Sequence, residues 1–407
     1  MNVTETSKEN SYMWVILTII FLGQVLLNVL TFQIGGMAAQ LIPALHLKPS
    51  QLAMALSAPM LASAILGIPA GALADRFGVK SIAAFGLIIS SISSFARISA
   101  ASFGALFAWM LLIGFGIAVL NSNAAKLLGA WFPIRRMGLA MGIYVVGAGV
   151  GISIALATSP LFPSIHSAFL ASAIGMTCVT ILWLLFIKNK PAGAPDQPVL
   201  SMTHCLSVAA KSKNVWIGAL AIFFMMGTYV TQSGFLSNAL VQAKGINPVQ
   251  AGLVASSLTL AFIVGGLLGP VISHKAGSIR PFLAPTAILC AISSYLAWNV
   301  PFGPLTTVFL MLAGLFIGMT PPIILSLPMS LPEIGPVYAG SAGGILSTFQ
   351  MAGAFFISSY VIIPLAGSDI NKVFLYIAAG YFIYGIVMLF LPELGAKSKR
   401  KNAGLAK

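Results

Sequence analysis

Twelve apolar runs dominate the chain. With soft edges they cover 13–36, 51–73, 81–98, 105–128, 138–160, 167–187, 215–239, 250–273, 281–298, 303–327, 339–364 and 373–392. Each approaches the ~20 residues that a helix needs to cross a bilayer. Membrane strands would instead alternate apolar and polar positions over about ten residues, and no run does so. The pattern predicts an all-α integral membrane protein. The longest internal polar stretch, 188–214, separates the sixth run from the seventh and holds Pro191, Pro195 and Pro198. It divides the chain into 1–187 with six spans, a linker 188–214, and 215–407 with six more spans and a basic tail. Short connections such as 299–304 force neighbouring helices to be antiparallel.

Composition agrees. Hydrophobic residues make up 58% of the 407 and charged ones 7%, which excludes a soluble globular protein. The net charge of +14 suggests nucleic acid only until the basic residues are placed. With the N-terminus in the cytoplasm, only Lys48, Arg97, Lys244 and Lys372 lie on the outer side. The other basic residues lie inside or at the inner edge. That bias orients the chain by the positive-inside rule, with both termini and the linker cytoplasmic. It places the protein in the cytoplasmic membrane and leaves no need for a nucleic-acid partner. Six tryptophans (Trp14, Trp109, Trp131, Trp183, Trp216, Trp298) fall near span ends, where an interfacial ring is expected. The first span reads as retained, because no small-residue cleavage site follows a short apolar core.

The acidic residues restrict mechanism. All seven (Glu5, Glu9, Asp75, Asp196, Glu333, Asp369, Glu393) fall in tails or loops, and His46, His166, His204 and His274 fall in loops or at span edges. A polytopic protein without carboxylate or imidazole at mid-membrane lacks the usual proton relay. No nucleotide-binding loop, catalytic constellation or metal-ligand spacing is present, so no cofactor and no enzymatic chemistry are expected. Cys178, Cys205 and Cys290 read as small apolar filler.

Two cytoplasmic loops carry the most specific signal. After the second run the chain reads Gly71-x-x-x-Asp75-Arg76-x-Gly78-x-Lys80. A degenerate copy, with His274, Lys275 and Gly277, follows the eighth run. The first loop resembles the signature loop of the major facilitator superfamily. That resemblance covers the whole chain. It implies two six-helix bundles related by pseudo-two-fold symmetry, with a substrate cavity between them. It also implies that Gly71, Asp75, Arg76, Gly78 and Lys80 form a latch stabilising the outward-facing state. The stretch Trp131-Phe132-Pro133…Arg135-Arg136…Gly138…Gly142 is similar to one in anion-carrying branches: nitrate/nitrite, oxalate/formate and organic-anion. Three features depart from the family. Span 5 lacks the antiporter proline. Span 4 has Met110 where many members carry an arginine. Spans 2 and 8 lack the arginines of the nitrate branch, which argues against a nitrate carrier.

Polar residues within spans tend to face a cavity. Gln24, Asn28 and Thr31 share one face of span 1. Asn121 and Asn123 (span 4), Tyr144 (span 5), Tyr229 and Gln232 (span 7), Thr320 (span 10) and Gln350 (span 11) complete the substrate-binding candidates. Interhelical hydrogen bonding is the competing account of each. Pro321-Pro322 removes two backbone donors and predicts a break in span 10, a candidate hinge. Arg97 is expected to snorkel to the outer headgroups. With Lys126 it is the only cationic candidate within the spans.

These features predict a monomeric transporter, with the bilayer and a small-molecule substrate as partners. It works by alternating access, with uniport or exchange favoured. A small organic anion is the expected substrate. Export of a neutral or drug-like compound, and a non-transporting membrane sensor, are the alternatives.

Overall fold

The computed structural model describes residues 12–189, 202–276 and 279–391. Among the described residues, twelve helices are long and apolar enough to cross a membrane, and strands are absent. They are span 1 (Tyr12–Gly36), span 2 (Pro49–Gly71), span 3 (Val79–Ser99), span 4 (Phe103–Trp131), span 5 (Leu139–Leu161) and span 6 (Ile165–Phe186), then span 7 (Lys213–Lys244), span 8 (Pro248–Ser273), span 9 (Arg280–Asn299), span 10 (Pro304–Pro328), span 11 (Ser341–Ala366) and span 12 (Ile370–Met388). Exposed side chains such as Ile65, Phe85, Ile92, Leu185 and Leu365 give the outer surface an apolar coat. Such a coat suits lipid and not water.

Local chemistry sets the ends. Ser102 and Ser164 cap spans 4 and 6, accepting from Ala105 N and Ser167 N. Asp369 accepts from Asn371 N and Lys372 N at the start of span 12. Gly245 closes span 7 in the left-handed region, at φ 66°, where a residue without Cβ is unstrained. Spans 4 and 7 run several residues beyond their apolar cores, because nothing in the flanking residues stops a helix. The 188–214 stretch, expected as a loop, holds a short helix, Met202–Lys211, packed on span 11.

Spans 1–6 and 7–12 form two bundles. Ser90 Oγ (span 3) donates to Ile113 O (span 4) in the first; Cys290 Sγ (span 9) donates to Ala313 O (span 10) at the matching place in the second. The bundles meet where span 5 packs on span 8, span 2 on span 11 and span 1 on span 7. Twelve antiparallel spans put Tyr12, the start of span 1, and Met388, the end of span 12, at one end of the molecule, the termini end.

The seam is tight at the far end. A Cβ on Gly35 (span 1) would sit 2.5 Å from Gly234 O (span 7). One on Gly252 (span 8) would collide with Leu156 O (span 5), and Leu56 fills the space above Gly234. Ser57 Oγ and Ser359 Oγ join spans 2 and 11 at 2.8 Å, both fully buried. At the termini end, Gly71 (span 2), Gly142 (span 5), Gly343 and Gly344 (span 11) have nothing within 4 Å of a notional Cβ. The space between the bundles is therefore closed at the far end and open at the termini end.

Candidate functional site

Four predicted residues lie where the bundles face one another. Gln24 is buried at the middle of span 1, and its Oε1 has no partner. Asn28, half-buried, donates its Nδ2 to Gln24 O at 2.8 Å. Gly147 and Gly151 of span 5 bring that helix against Phe21, Val25 and Asn28. Tyr229 of span 7 stacks on Phe262 of span 8, with centroids 4.5 Å apart. Its hydroxyl lies beside that of Thr259, short of a well-formed hydrogen bond. Gln350 approaches Met226 Sδ at 3.8 Å and remains half-buried on span 11.

Other candidates are engaged inside their own bundles. Tyr144 OH donates to Asn121 Oδ1 at 2.6 Å, tying span 5 to span 4. Asn123 donates to Val119 O and, at 3.5 Å, to Ala70 O; it borders a small void with Val79, Leu127 and Trp183 within the first bundle. Thr31 bonds back to Leu27 O. Gln232 Oε1 accepts from Tyr381 OH at 2.8 Å and Ser294 joins the cluster, knotting spans 7, 9 and 12. Thr320 Oγ1 accepts from Tyr384 OH at 2.6 Å. Hydrogen bonding between helices accounts for Asn121, Tyr144, Gln232 and Thr320, and a bond to its own helix for Thr31, whereas Asn123 Oδ1 has no partner.

Span 10 breaks at Met319, immediately before Thr320-Pro321-Pro322. Span 8 grips the break. Gly265 and Gly269 bring its backbone against Leu315 and Met319, and Gly318 packs on Phe262.

Arg97 corrects an expectation. Its guanidinium does not snorkel but is 1% exposed inside the first bundle. Nη1 donates to Leu30 O at 2.6 Å, and Nη2 donates to Gln33 Oε1 at 2.7 Å and Ser172 Oγ at 2.9 Å. The charge lies over the Phe169 ring, 4.2 Å from its centroid. Three tryptophans also turn inward instead of anchoring at the interface. Trp131 is buried and donates Nε1 to Lys188 O. Trp183 is fully buried with Nε1 on Lys80 O, and Trp298 bonds Asn371 while stacking on Phe374.

At the signature loop, Gly78 takes φ 84°, and Asn189 Oδ1 accepts from Lys80 N at 2.7 Å. Arg76 is exposed, its guanidinium over Phe77. The side chains of Asp75, Arg135 and His274, the surroundings of Gly138 and residues 277–278 lie outside what the structure describes.

Sequence reasoning passed over Ser153 (span 5) and Thr259 (span 8). Both are buried with unpartnered hydroxyls. Serine and threonine are too common in membrane helices, bonded to their own backbone, to stand out by type.

The sequence profile of the Major Facilitator Superfamily matches residues 14–358. The probable nitrate transporter NarT of Staphylococcus epidermidis is 25% identical, over 93% of this chain and 97% of that protein. The nitrite extrusion protein of Bacillus subtilis is 25% identical over 79% and 80%. The probable sulfoacetate transporter SauU of Cupriavidus necator is 27% identical over 75% and 77%. Among solved structures, a D-xylose-proton symporter superposes with a TM-score of 0.75 at 14% identity, covering 94% of this chain and 99% of that one. A bacterial homolog of the human lysosomal transporter Spinster gives 0.73 at 17% identity, over 94% and 95%. Both likenesses concern the fold. This multi-pass, twelve-span chain belongs to the Major Facilitator Superfamily.

Proposed function

We propose that this protein carries a small organic anion across the cytoplasmic membrane by alternating access, as a uniporter or exchanger. The observation that carries this is the seam, closed at the far end and open at the termini end beneath a mid-membrane layer of uncharged polar groups. One end closed and the other open is one half of an alternating-access cycle. The relatives named for nitrate, nitrite and sulfoacetate support an anionic substrate. Spans 2 and 8 hold no arginine, which favours an organic anion over nitrate. The basic bias puts the termini and the linker in the cytoplasm, so the structure is read as inward-facing. Residues 1–187 and 215–407 act as the two moving bodies joined by 188–214, in a monomer.

Burial of Arg97 favours a second reading, a neutral substrate, because it withdraws a cation from the space between the bundles. Counterflow in proteoliposomes with no pH gradient tests the proposal. Exchange of labelled sulfoacetate or oxalate is expected to proceed, since no mid-span carboxylate or imidazole must load a proton. Strict dependence on a pH gradient would overturn it.

A further inference from the structure

Buried side-chain oxygens without a partner are costly in a membrane interior and uncommon in folded proteins. Five of them lie on four helices that meet at the seam; Asn238 Oδ1 is toward the far end of span 7, and the other four are Gln24 Oε1 on span 1, Ser153 Oγ on span 5, Tyr229 OH on span 7 and Thr259 Oγ1 on span 8. Each of these four is close to the midpoint of its span. The helices are in register there. Gly147 and Gly151 hold span 5 against Phe21 and Val25, at the level of Gln24. Gly149 packs on Ile263 and Gly252 on Leu156, so Ser153 lies along the same seam as Thr259. Tyr229 stacks on Phe262, one turn from Thr259, with its hydroxyl beside that residue. The backbone contact of Gly35 with Gly234, at the far end of spans 1 and 7, lies beyond this layer.

Resting on the transport reading above, we propose that Gln24, Ser153, Tyr229 and Thr259 form the substrate head-group site. The head group is an oxyanion, a carboxylate or sulfonate, held by neutral donors without a salt bridge. Three hydroxyls each carry an O–H to give; Gln24 presents Oε1 in this structure, and its carboxamide must turn about its terminal bond to offer its Nε2–H groups instead. Donors of this kind stabilise a carboxylate strongly when several converge. A cationic head group is poorly matched. Spans 1, 5, 7 and 8 carry no acidic residue to offset the charge of a buried ammonium. Basic residues at the termini end, among them Lys80, Lys126 and Arg136, raise the local anion concentration at the open mouth. The Tyr229 and Phe262 rings form the apolar wall for the rest of the molecule.

Tyr229→Phe and Thr259→Val remove one oxygen each and nearly keep shape. The test is binding of sulfoacetate, oxalate and nitrate to the purified protein, read by titration calorimetry, beside thermal unfolding without ligand. Each variant should weaken the binding of an organic anion roughly 10-fold or more, as expected for a lost hydrogen bond to a charged group. The double variant should abolish it. Without ligand, neither variant should lose stability, because each removes an unsatisfied buried hydroxyl. A merely structural role predicts the reverse, destabilised protein with unchanged affinity. Ser358→Ala removes another unpartnered buried hydroxyl, on span 11, and should leave affinity unchanged. Tight binding that both variants retain would overturn the site and leave the transport reading standing. Wild-type protein that binds none of the three anions, yet shows counterflow of an uncharged solute, would overturn the oxyanion class.

Discussion

The two ends of the seam between the bundles are built on different principles. At the far end, spans from opposite bundles touch through backbone. Gly35 meets Gly234 O and Gly252 meets Leu156 O, with the Ser57–Ser359 bond alongside. At the termini end, the contacts that fix helix ends stay within each half. Asn189 caps span 3, Trp183 bonds Lys80 O, and Glu333 accepts from Ser212 and Asn214. The seal at the far end thus depends on small residues and on how rigidly each bundle presents them, whereas the open end depends on capping. Small residues allow close approach with little loss on separation, which a reversible seal requires.

Arg97 stands behind that seal. It holds span 1 by Leu30 O and Gln33, within a turn or so of Gly35. The largest predicted effect is on Arg97→Met. The change removes one donor each from Leu30 O, Gln33 Oε1 and Ser172 Oγ, at a cost of about 3 kcal/mol. Loss of a buried charge with no acidic partner offsets part of that. A clear drop in the thermal midpoint of the purified protein is expected. A midpoint equal to wild type would show that Arg97 does not brace the far end.

Gly35→Val tests the seal directly. Its Cβ would meet Gly234 O at 2.5 Å, with Gly234 C and Cα at 3.2 and 3.3 Å, and backbone cannot step aside. Overpacking of this kind costs about 1–3 kcal/mol, all charged to the sealed state. Thr31, 0% exposed and one turn below the seal, becomes the reporter in a Thr31→Cys, Cys178→Ser background. A membrane-impermeant maleimide applied from the far side should label it several-fold faster once Gly35→Val is added. Gly344→Val, at the open end, should not raise that labelling. If both glycine variants behave alike, the asymmetry is not functional.

Much of this architecture was legible in the chain. Twelve apolar runs located the spans, and Pro321-Pro322 located the break at Met319 to within two residues. Side-chain direction was less legible. Arg97, Trp183 and Trp298 sit near span ends, where snorkelling or interfacial anchoring is the default. Which way such a residue turns depends on the helix beside it. Ser172 and Phe169 for Arg97, and Asn371 and Phe374 for Trp298, come from a distant part of the chain. Among the candidate residues, type alone did not separate Gln232, fully bonded to Tyr381 and Ser294, from Gln24, whose Oε1 has no partner.

The second bundle offers a milder version of the Arg97 corner. Trp298 ties span 9 to span 12 through Nε1–Asn371 Oδ1 at 2.8 Å, while its ring lies 3.9 Å from that of Phe374. Trp298→Phe keeps a stacked ring and loses one hydrogen bond. A destabilisation of about 1 kcal/mol is expected, well short of Arg97→Met. Equal losses would mean that the two far corners share one energetic design, and that the cation brings nothing beyond its shape.

The smallest effect belongs to the open end. Glu333, between spans 10 and 11, accepts from Ser212 Oγ at 2.9 Å and Asn214 Nδ2 at 2.8 Å, pinning the start of span 7. Partial burial pushes its carboxyl pKa up, but bonds from its own backbone, Asn214 and Ser212 outweigh that and hold it below the ordinary value of 4.5. A depressed folded pKa fixes the sign. The contribution is fully present above the ordinary carboxyl value and fades as the pH falls through the folded one. Glu333 is largely exposed, so solvent screening limits the effect to a few tenths of a kcal/mol. Between pH 7 and 5, Glu333→Gln should therefore unfold slightly below wild type, by about 1 °C or less. Below about pH 4 the two should converge, because wild type then carries a protonated side chain as well. Thermal scans of both proteins across that range check it. A gap that widens on acidification would mean that Glu333 is stabilised in its protonated form, and that the open end is held by something other than this charged cap.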